Sequence, residues 1–171
     1  MEPVFLSVGS NVDRERNIAG GLRALHQRFG PLAVSTLYEC PAVGFAGDDF
    51  LNLVVAFDSR KPVADVHAAL HEIEDRFGRD RDAPKYSPRT LDIDLLLYGD
   101  RILRQGRLVL PRPEIDRVAF VLAPLAELAG NRLHPVHGRS YTALWAAFDG
   151  IGAHELSPVD PEGIVPPEVL A

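Results

Sequence analysis

The sequence has 171 residues, 46% of them hydrophobic and 25% charged, a balance that suits one globular domain with a substantial core. Its net charge of -6 argues against a general nucleic-acid-binding protein, and no apolar run approaches the roughly 20 residues that span a bilayer. The single cysteine, Cys40, excludes an intrachain disulfide, and the first residues lack the basic and apolar regions of a signal peptide. We therefore expect a cytoplasmic protein with neither a membrane nor a nucleic-acid partner.

The first half of the chain alternates between segments of strand and helix character. Short runs rich in β-branched and aromatic residues indicate strands, whereas apolar residues at intervals of three and four indicate helices. Glycine and proline mark the ends of both. In chain order we predict a strand over Val4–Val8, a helix with the apolar face Ile18, Leu22, Leu25 and Phe29, a strand over Leu32–Tyr38, a turn-rich loop over Cys40–Asp49, and a strand over Phe50–Phe57.

A second helix and a fourth strand complete a regular order of elements. Pro62 begins the helix and Gly78 ends it. Its apolar face consists of Val63, Val66, Leu70, Ile73 and Phe77. A loop over Gly78–Pro88 then leads to a strand over Thr90–Tyr98. The order βαββαβ predicts an α+β fold with a ferredoxin-like core, in which an antiparallel sheet carries helices on one face.

The last third of the chain has weaker patterns. We predict a small hairpin from Ile102–Leu103 and Leu108–Leu110, and short helices over Phe120–Leu128 and Tyr141–Phe148. Residues 156–171 contain four prolines and almost no periodicity, so we expect a tail held by either the body or a neighbouring chain. Residues 1–155 are then a single domain.

The stretch YSPRTLDIDLLLY, residues 86–98, places two carboxylates in a strand that is otherwise apolar. Because side chains alternate, Asp92 and Asp94 share one face with Leu96 and Tyr98. Two close carboxylates repel unless one is protonated or a cation such as Mg²⁺ lies between them. The alternative is that both simply face water. Guanidinium groups that match phosphate lie nearby and favour a phosphoryl-transfer site: Arg79, Arg81 and Arg89.

The third predicted strand carries a second polar interruption. Asn52 breaks an apolar run, and Phe50 lies two residues earlier on the same face. A ring and an amide on one face suit a flat heterocycle, because the ring stacks and the amide reads the edge. The alternative is that Asn52 satisfies a backbone group and Phe50 belongs to the core. The residues alone leave both interpretations open.

Several other motifs are assigned structural roles. Gly9-Ser10-Asn11 lies between a strand and a helix, where such a tripeptide more often makes the turn and caps the helix than binds an anion. Two histidine pairs have spacings compatible with a metal but lack an obvious third ligand, and a lone tryptophan suits packing. These residues are His67 and His71, His134 and His137, and Trp145.

These motifs together resemble the 6-hydroxymethyl-7,8-dihydropterin pyrophosphokinase family of folate biosynthesis, over about Phe5 to Leu128. The resemblance implies an α+β fold with a ferredoxin-like core. It also implies transfer of pyrophosphate from ATP to the pterin hydroxymethyl oxygen, with release of AMP. The motifs that carry it are GSN (9–11), YECPAVG (38–44), FLN (50–52), PRTLDIDLLLYGD (88–100) and AFVLAPLAELA (119–129).

The resemblance further implies roles for individual residues. Asp92 and Asp94 match aspartates that hold two Mg²⁺ ions, and Arg79 and Arg89 match arginines that bind and stabilise the transferring group. The pterin site would comprise Pro41, Val43, Phe50, Asn52 and Phe120. The ATP site would comprise His71, Glu74, Arg81, Tyr86, Arg89, Leu95, Arg107 and Arg112. The loops Pro41–Asp49 and Gly78–Pro88 flank this site, and we expect them to close over bound substrates.

The chain departs from the family pattern at several positions. Arg112 replaces a typical histidine, Val118 replaces an arginine and Asp82 replaces a basic residue, while Tyr86 and His71 replace tryptophan and glutamine. The substitutions at Val118 and Asp82 raise the alternative of a pterin-binding protein that has lost ATP turnover. An RNA-recognition module is a further alternative, but the negative charge and the absent aromatic RNA-binding motif argue against it. We expect an active enzyme that uses ATP and a dihydropterin, as a monomer or weak homodimer.

Overall fold

The computed structural model of the chain describes residues 1–86 and 88–171, so Ser87 of the predicted 78–88 loop lies outside the described residues. Within them, the chain forms eight strands and four α-helices. In order these are β1 (Glu2–Ser10), α1 (Arg14–Phe29), β2 (Ala33–Val34), β3 (Leu37–Cys40), β4 (Phe50–Ser59), α2 (Val63–Arg76), β5 (Asp92–Tyr98), β6 (Leu103–Gln105), β7 (Leu108–Leu110), α3 (Ala119–Ala129), α4 (Tyr141–Ala146) and β8 (Ser157–Val159). Single 3₁₀ turns cover Pro113–Asp116 and Pro167–Val169.

Six strands form one antiparallel sheet in the order β5-β1-β4-β3-β8, with β2 also paired to β4. The long central pair is β1 with β4, in register from Glu2 opposite Ser59 to Ser10 opposite Leu51. The order of β5, β1, β4 and β3 is that of a ferredoxin-like core, so the predicted fold class is confirmed. The strands β6 and β7 form the separate small hairpin that the sequence predicts.

Helices cover both faces of this sheet rather than one. The predicted helices α1 and α2 bury Ile18, Leu22 and Leu70 against one face. The opposite face packs against α3, where Val54 of β4 meets Leu122. The sequence predicted α3 as a short helix but not its place, because mean apolar content alone does not say which sheet face a helix covers.

Local interactions shift several predicted boundaries. The predicted strand Leu32–Tyr38 is broken into β2 and β3, because the Ser35 hydroxyl accepts a hydrogen bond from the Val54 amide at 2.9 Å in place of regular pairing. The strand predicted from Thr90 begins at Asp92. The last predicted helix ends at Ala146, two residues early.

A register shift in β5 corrects one prediction about the acidic strand. Phe5 of β1 pairs with Leu97, yet the next residue, Leu6, pairs with Leu95, so Leu96 is an extra residue on β5. Such a bulge interrupts the alternation of side chains. Asp92, Asp94 and Leu96 therefore share the α3 face. Tyr98 was predicted on that face too, but it is buried on the α1–α2 side.

The proline-rich C-terminal segment is held by the body of the protein. Strand β8 pairs with the free edge of β3. Leu32 donates a backbone hydrogen bond to Val169 at 2.8 Å and accepts one from Ala171 at 2.9 Å. The Val169 side chain is fully buried in the main core. This segment thus extends the sheet, while the division at residue 155 stays a prediction.

Candidate active site

Two rows of residues cross the sheet on the face that also carries α3. In the first row Asn52 of β4, Gly9 of β1 and Asp92 of β5 lie opposite one another. In the second row Ser7 pairs on its two sides with Val54 and Asp94. The predicted heterocycle-reading amide and the predicted acidic pair therefore belong to one surface, separated by a single strand.

Glycine at position 9 makes room for the Asn52 side chain. A Cβ atom built on Gly9 would lie 2.4 Å from the Asn52 Oδ1 atom, well inside van der Waals contact. Any larger residue would displace the Asn52 amide. Glycine at this position therefore lets the Asn52 side chain lie directly against β1.

Each aspartate of the acidic pair has its own arginine. Arg79 donates to Asp92 Oδ1 at 3.1 Å, and an Arg112 terminal nitrogen lies 3.4 Å from Asp94 Oδ1. The Nε atom of Arg112 also lies 3.1 Å from a carboxylate oxygen of Glu114. Both aspartate side chains remain about one-third exposed, 34% and 33%. The site is thus an alternating set of carboxylates and guanidinium groups open to solvent.

The carboxylates of the site repel one another strongly. Burial, and after it the neighbouring Asp92 charge, raise the pKa of Asp94 to about 7, while Arg112 opposes the rise. Burial also raises the pKa of Glu74 to about 8, although the Ile93 amide donates to Glu74 Oε2 at 3.0 Å and lowers it. Closely spaced carboxylates with raised pKa values are a set that added positive charge would stabilise.

The donor set fits a hard divalent cation bound together with a phosphate. Asp92 and Asp94 offer exposed carboxylate oxygens, the ligands that Mg²⁺ prefers. The Nε atom of Arg79 is buried without a hydrogen-bond partner among the described residues. Because buried donors are normally paired, this atom suits an anionic ligand oxygen.

Arg89 and Arg81, predicted to contact ATP or the transferring group, brace the loop at residues 78–88 in this structure. Arg89 donates to the carbonyls of Pro84 and Lys85 at 2.7 and 2.9 Å. Arg81 lies in this loop, and its guanidinium is 2.9 Å from a carboxylate oxygen of Asp75 on α2. Both guanidinium groups hold the loop beside the acidic pair.

A cavity of about 520 Å³ lies between α2 and the β6–β7 hairpin. His71 and Arg107, both predicted for ATP, line it together with His67, for which the sequence indicated no ligand role. The two histidine rings are 4.5 Å apart, and burial lowers the pKa of both, which favours neutral rings near pH 7. Two other predicted ATP residues lie elsewhere: Leu95 is buried in the core, and Tyr86 is 54% exposed on the loop.

The predicted pterin residues lie on β4, in the loop that precedes it and at the start of α3. Asn52 is buried and donates to the Cys40 sulfur at 2.8 Å, which orients its amide. The ring of Phe50 meets Phe45 edge-on, with centroids 6.3 Å apart. Phe120 lies at the start of α3, half-buried against that helix's core. Pro41 and Val43 lie in the loop between β3 and β4.

Asn11 links the two loops, a role that the sequence did not reveal. Its Oδ1 accepts a hydrogen bond from the Arg89 amide at 2.7 Å, and its Nδ2 donates to the Asp48 carbonyl at 3.0 Å. The expected helix cap is not made by this tripeptide, because α1 is preceded by Asp13. The loops also touch directly, since a Cβ on Gly44 would lie 2.9 Å from the Tyr86 ring.

The second histidine pair keeps its structural interpretation. Potential ligand atoms of Asp116, His134 and His137 lie within 4.8 Å of one another. However, His134 Nδ1 accepts hydrogen bonds from the amides of Val136 and His137, both at 3.1 Å. The neutral ring then carries its proton on Nε2, so His134 has no free lone pair for a metal. The geometry argues against a metal centre here.

Comparison with known proteins identifies the family. The sequence profile of the 7,8-dihydro-6-hydroxymethylpterin-pyrophosphokinase (HPPK) family matches residues 5–130. The chain belongs to this family. It is therefore a pyrophosphokinase, an ATP-dependent enzyme of folate biosynthesis. None of the helices in the described residues is long and apolar enough to cross a membrane.

Relatives named 2-amino-4-hydroxy-6-hydroxymethyldihydropteridine pyrophosphokinase align with most of the chain. The protein from Pseudomonas aeruginosa is 38% identical over 157 residues, which cover 88% of this chain and 96% of that one. The protein from Synechocystis is 35% identical over 147 residues, covering 80% and 73%. The protein from Aquifex aeolicus is 33% identical over 139 residues, covering 80% and 86%.

Solved structures confirm the fold. The wild-type HPPK-DHPS of Plasmodium falciparum with STZ-DHP superposes with a TM-score of 0.64 over 85% of this chain, at 13% identity. A second HPPK-DHPS structure, of the A437G protein with SDX-DHP, gives a TM-score of 0.65. This chain spans only 41% and 42% of those two chains. The likeness therefore concerns the HPPK fold alone.

Proposed function

We propose that this enzyme transfers pyrophosphate from ATP to the hydroxymethyl group of 6-hydroxymethyl-7,8-dihydropterin and releases AMP, with two Mg²⁺ ions held by Asp92 and Asp94. The single observation that carries the proposal is the row in which Asn52, Gly9 and Asp92 lie side by side. The Asn52 amide, for which we propose pterin recognition, is thus one strand away from the acidic pair. The names of the relatives, which specify a dihydropteridine pyrophosphokinase, support the same reaction.

The pterin is held at the Asn52 end of the surface. The Asn52 amide, fixed by Cys40, reads the polar edge of the ring, while Phe50 and Phe120 stack on its faces. Backbone groups of Pro41 and Val43 complete the pocket. This arrangement points the hydroxymethyl group across Gly9 toward the acidic pair, which supplies the orientation that in-line attack requires.

The reacting phosphates of ATP lie over Asp92 and Asp94. Bound Mg²⁺ would neutralise phosphate oxygens and draw charge from the β-phosphorus. Asp92 and Asp94 supply hard oxygen ligands, and Arg79, with its unpaired Nε, donates to the phosphate oxygens. Arg89 supports the same group from the loop at residues 78–88.

The reaction needs no covalent enzyme intermediate. The pterin hydroxyl oxygen forms a bond to the β-phosphorus, the bond from that phosphorus to the α,β-bridging oxygen breaks, and the bridging oxygen leaves with its electron pair on AMP. The hydroxyl proton is released. Guanidinium groups of Arg79 and Arg112 stabilise the charge that moves toward AMP. The adenosine end extends toward the cavity beside His71 and Arg107.

The departures from the family pattern are compatible with this function. Arg112 keeps a cation beside Asp94. Val118 is a buried core residue at the start of α3, and Asp82 lies exposed on the loop. Neither contacts the acidic pair. We also propose that the enzyme acts as a monomer or weak homodimer on these small-molecule substrates.

The test is a Mg²⁺-dependent assay with ATP and the dihydropterin that separates AMP from ADP. We expect AMP in equal amount to pyrophosphorylated pterin, and loss of both with chelator or with Asp94→Asn. Asp82→Asn, an equal charge change on the exposed loop, serves as the control and should retain activity. ADP as the product, or unchanged AMP formation by Asp94→Asn, would overturn the proposal.

A further inference from the structure

The guanidinium of Arg112 occupies the position of a cation between two carboxylates. Its terminal nitrogen lies 3.4 Å from Asp94 Oδ1, and its Nε lies 3.1 Å from a carboxylate oxygen of Glu114. The side chain is 28% exposed, and Asp94 and Glu114 are 33% and 32% exposed. Arg112 therefore forms an ion pair with each of these two carboxylates. The family usually has histidine at this position.

A backbone hydrogen bond holds Arg112 in position beside β5. Its amide donates to the Leu96 carbonyl at 3.0 Å, and Leu96 is the extra residue of the β5 bulge. The 3₁₀ turn that follows Arg112 begins at Pro113 and carries Glu114. The bulge therefore brings Arg112 and Glu114 to the aspartates of the same strand.

Asp92, the other aspartate of the pair, also has a guanidinium partner. Arg79 donates to Asp92 Oδ1 at 3.1 Å from the far side of the pair. A divalent cation that approaches Asp92 and Asp94 in the absence of nucleotide must therefore compete with two guanidinium groups for the same oxygens. The Arg79 contact is a charge-assisted hydrogen bond, and Arg112 forms a partly exposed ion pair with Asp94.

We propose that Arg112 takes the place of a metal ion at Asp94 in the nucleotide-free enzyme, so that tight metal binding requires the phosphates of ATP to draw this guanidinium away. The inference rests on the proposed function of Asp92 and Asp94 as metal ligands. ATP brings several negative charges into the site, and its phosphate oxygens offer Arg112 a single bidentate partner in place of two separate carboxylates. Metal and nucleotide then strengthen each other's binding, because each removes a competitor of the other.

The test measures Mn²⁺ binding to the nucleotide-free protein by electron paramagnetic resonance, with Mn²⁺ as the probe in place of Mg²⁺. We expect Arg112→Gln to bind Mn²⁺ roughly tenfold more tightly than the wild type, the size expected for loss of one competing charge-assisted contact. Arg104→Gln, the same charge change on the exposed β6 strand, should bind as the wild type does. Adding Asp94→Asn to Arg112→Gln should abolish the gain, which locates the ion.

A second readout examines the coupling. The non-hydrolysable analogue α,β-methylene-ATP should tighten Mn²⁺ binding markedly in the wild type and much less in Arg112→Gln. Equal Mn²⁺ affinity of Arg112→Gln and Arg104→Gln, or equal coupling in wild type and Arg112→Gln, would overturn the inference. Neither readout requires turnover, so failure here is distinguishable from failure of the AMP assay, which tests the reaction itself.

Discussion

Asn11 provides a demanding test of how the two loops are held beside the site. Its side chain is 5% exposed and makes two hydrogen bonds, to the Arg89 amide at 2.7 Å and the Asp48 carbonyl at 3.0 Å. Asn11→Ala removes both at once. The hydrogen bond to Arg89 is buried, whereas Asp48 is exposed and water can replace Asn11 there.

The expected loss of stability follows from that asymmetry. Losing hydrogen bonds that a buried side chain makes costs about 1–3 kcal/mol, so we expect Asn11→Ala to lose about 2–3 kcal/mol of unfolding free energy, most of it from the buried bond to Arg89. For a chain of this size, that loss lowers Tm by roughly 5–10 °C. Asn11→Asp keeps the acceptor for Arg89 and should lie between Asn11→Ala and the wild type.

The assay combines urea unfolding, followed by circular dichroism, with steady-state kinetics. Asn131→Ala, at an exposed position, is the matched control and should stay within about 0.5 kcal/mol of the wild type. Because Asn11 ties loops from both substrate sites, we also expect higher KM values for ATP and for the pterin together. An Asn11→Ala protein as stable as Asn131→Ala, with both KM values unchanged, would refute this reasoning.

Three further changes probe other parts of the structure. Gly9→Ala places a Cβ 2.4 Å from Asn52 Oδ1 and should raise the KM for pterin roughly tenfold, with the KM for ATP nearly unchanged. Equal effects on both KM values would contradict the proposal that Gly9 makes room for a pterin-binding Asn52. Burial raises the pKa of Glu74 to about 8 from 4.5, so its contribution to stability is complete below pH 4.5 and is lost as pH rises through about 8. In chelator, the urea midpoint of the wild type should therefore fall more between pH 5.5 and 8.5 than that of Glu74→Gln, and parallel curves would show that Glu74 is not perturbed. Val169→Ala should lower the free energy of unfolding by about 1–3 kcal/mol, because this residue of the C-terminal segment is fully buried. Val136→Ala, at a 60% exposed position, should lower it by less than about 0.5 kcal/mol. Equal losses would mean that the C-terminal segment is not docked in solution.

The spacing of apolar residues along the sequence predicts helices and strands whose formation depends on neighbouring residues. The helix with Ile18, Leu22 and Leu25 appears as α1, and all three side chains are fully buried. The bulge at Leu96 could not be predicted, because it depends on how β5 pairs with β1 rather than on the β5 sequence. The same holds for the break at Ser35, where a side-chain oxygen replaces a ladder partner.

In the candidate site, too, the sequence reveals groups of neighbouring residues but not contacts between residues far apart in the chain. The motif around Asp92 and Asp94 is local, and the sequence shows it directly. The pairing of Asp94 with Arg112 joins residues separated by a bulge and a hairpin, and no spacing rule predicts it. Asn11 was interpreted as a turn and cap because its partner Arg89 lies 78 positions away in the chain.

The most direct test of the central claim is a crystal structure of the enzyme with α,β-methylene-ATP and Mn²⁺, in which anomalous scattering locates the ions. The account predicts two peaks, each about 2.0–2.2 Å from a carboxylate oxygen of Asp92 or Asp94 and from a phosphate oxygen, with Arg112 turned from Asp94 to the nucleotide. Bound nucleotide with ions at other side chains, and Asp94 still paired with Arg112, would contradict it.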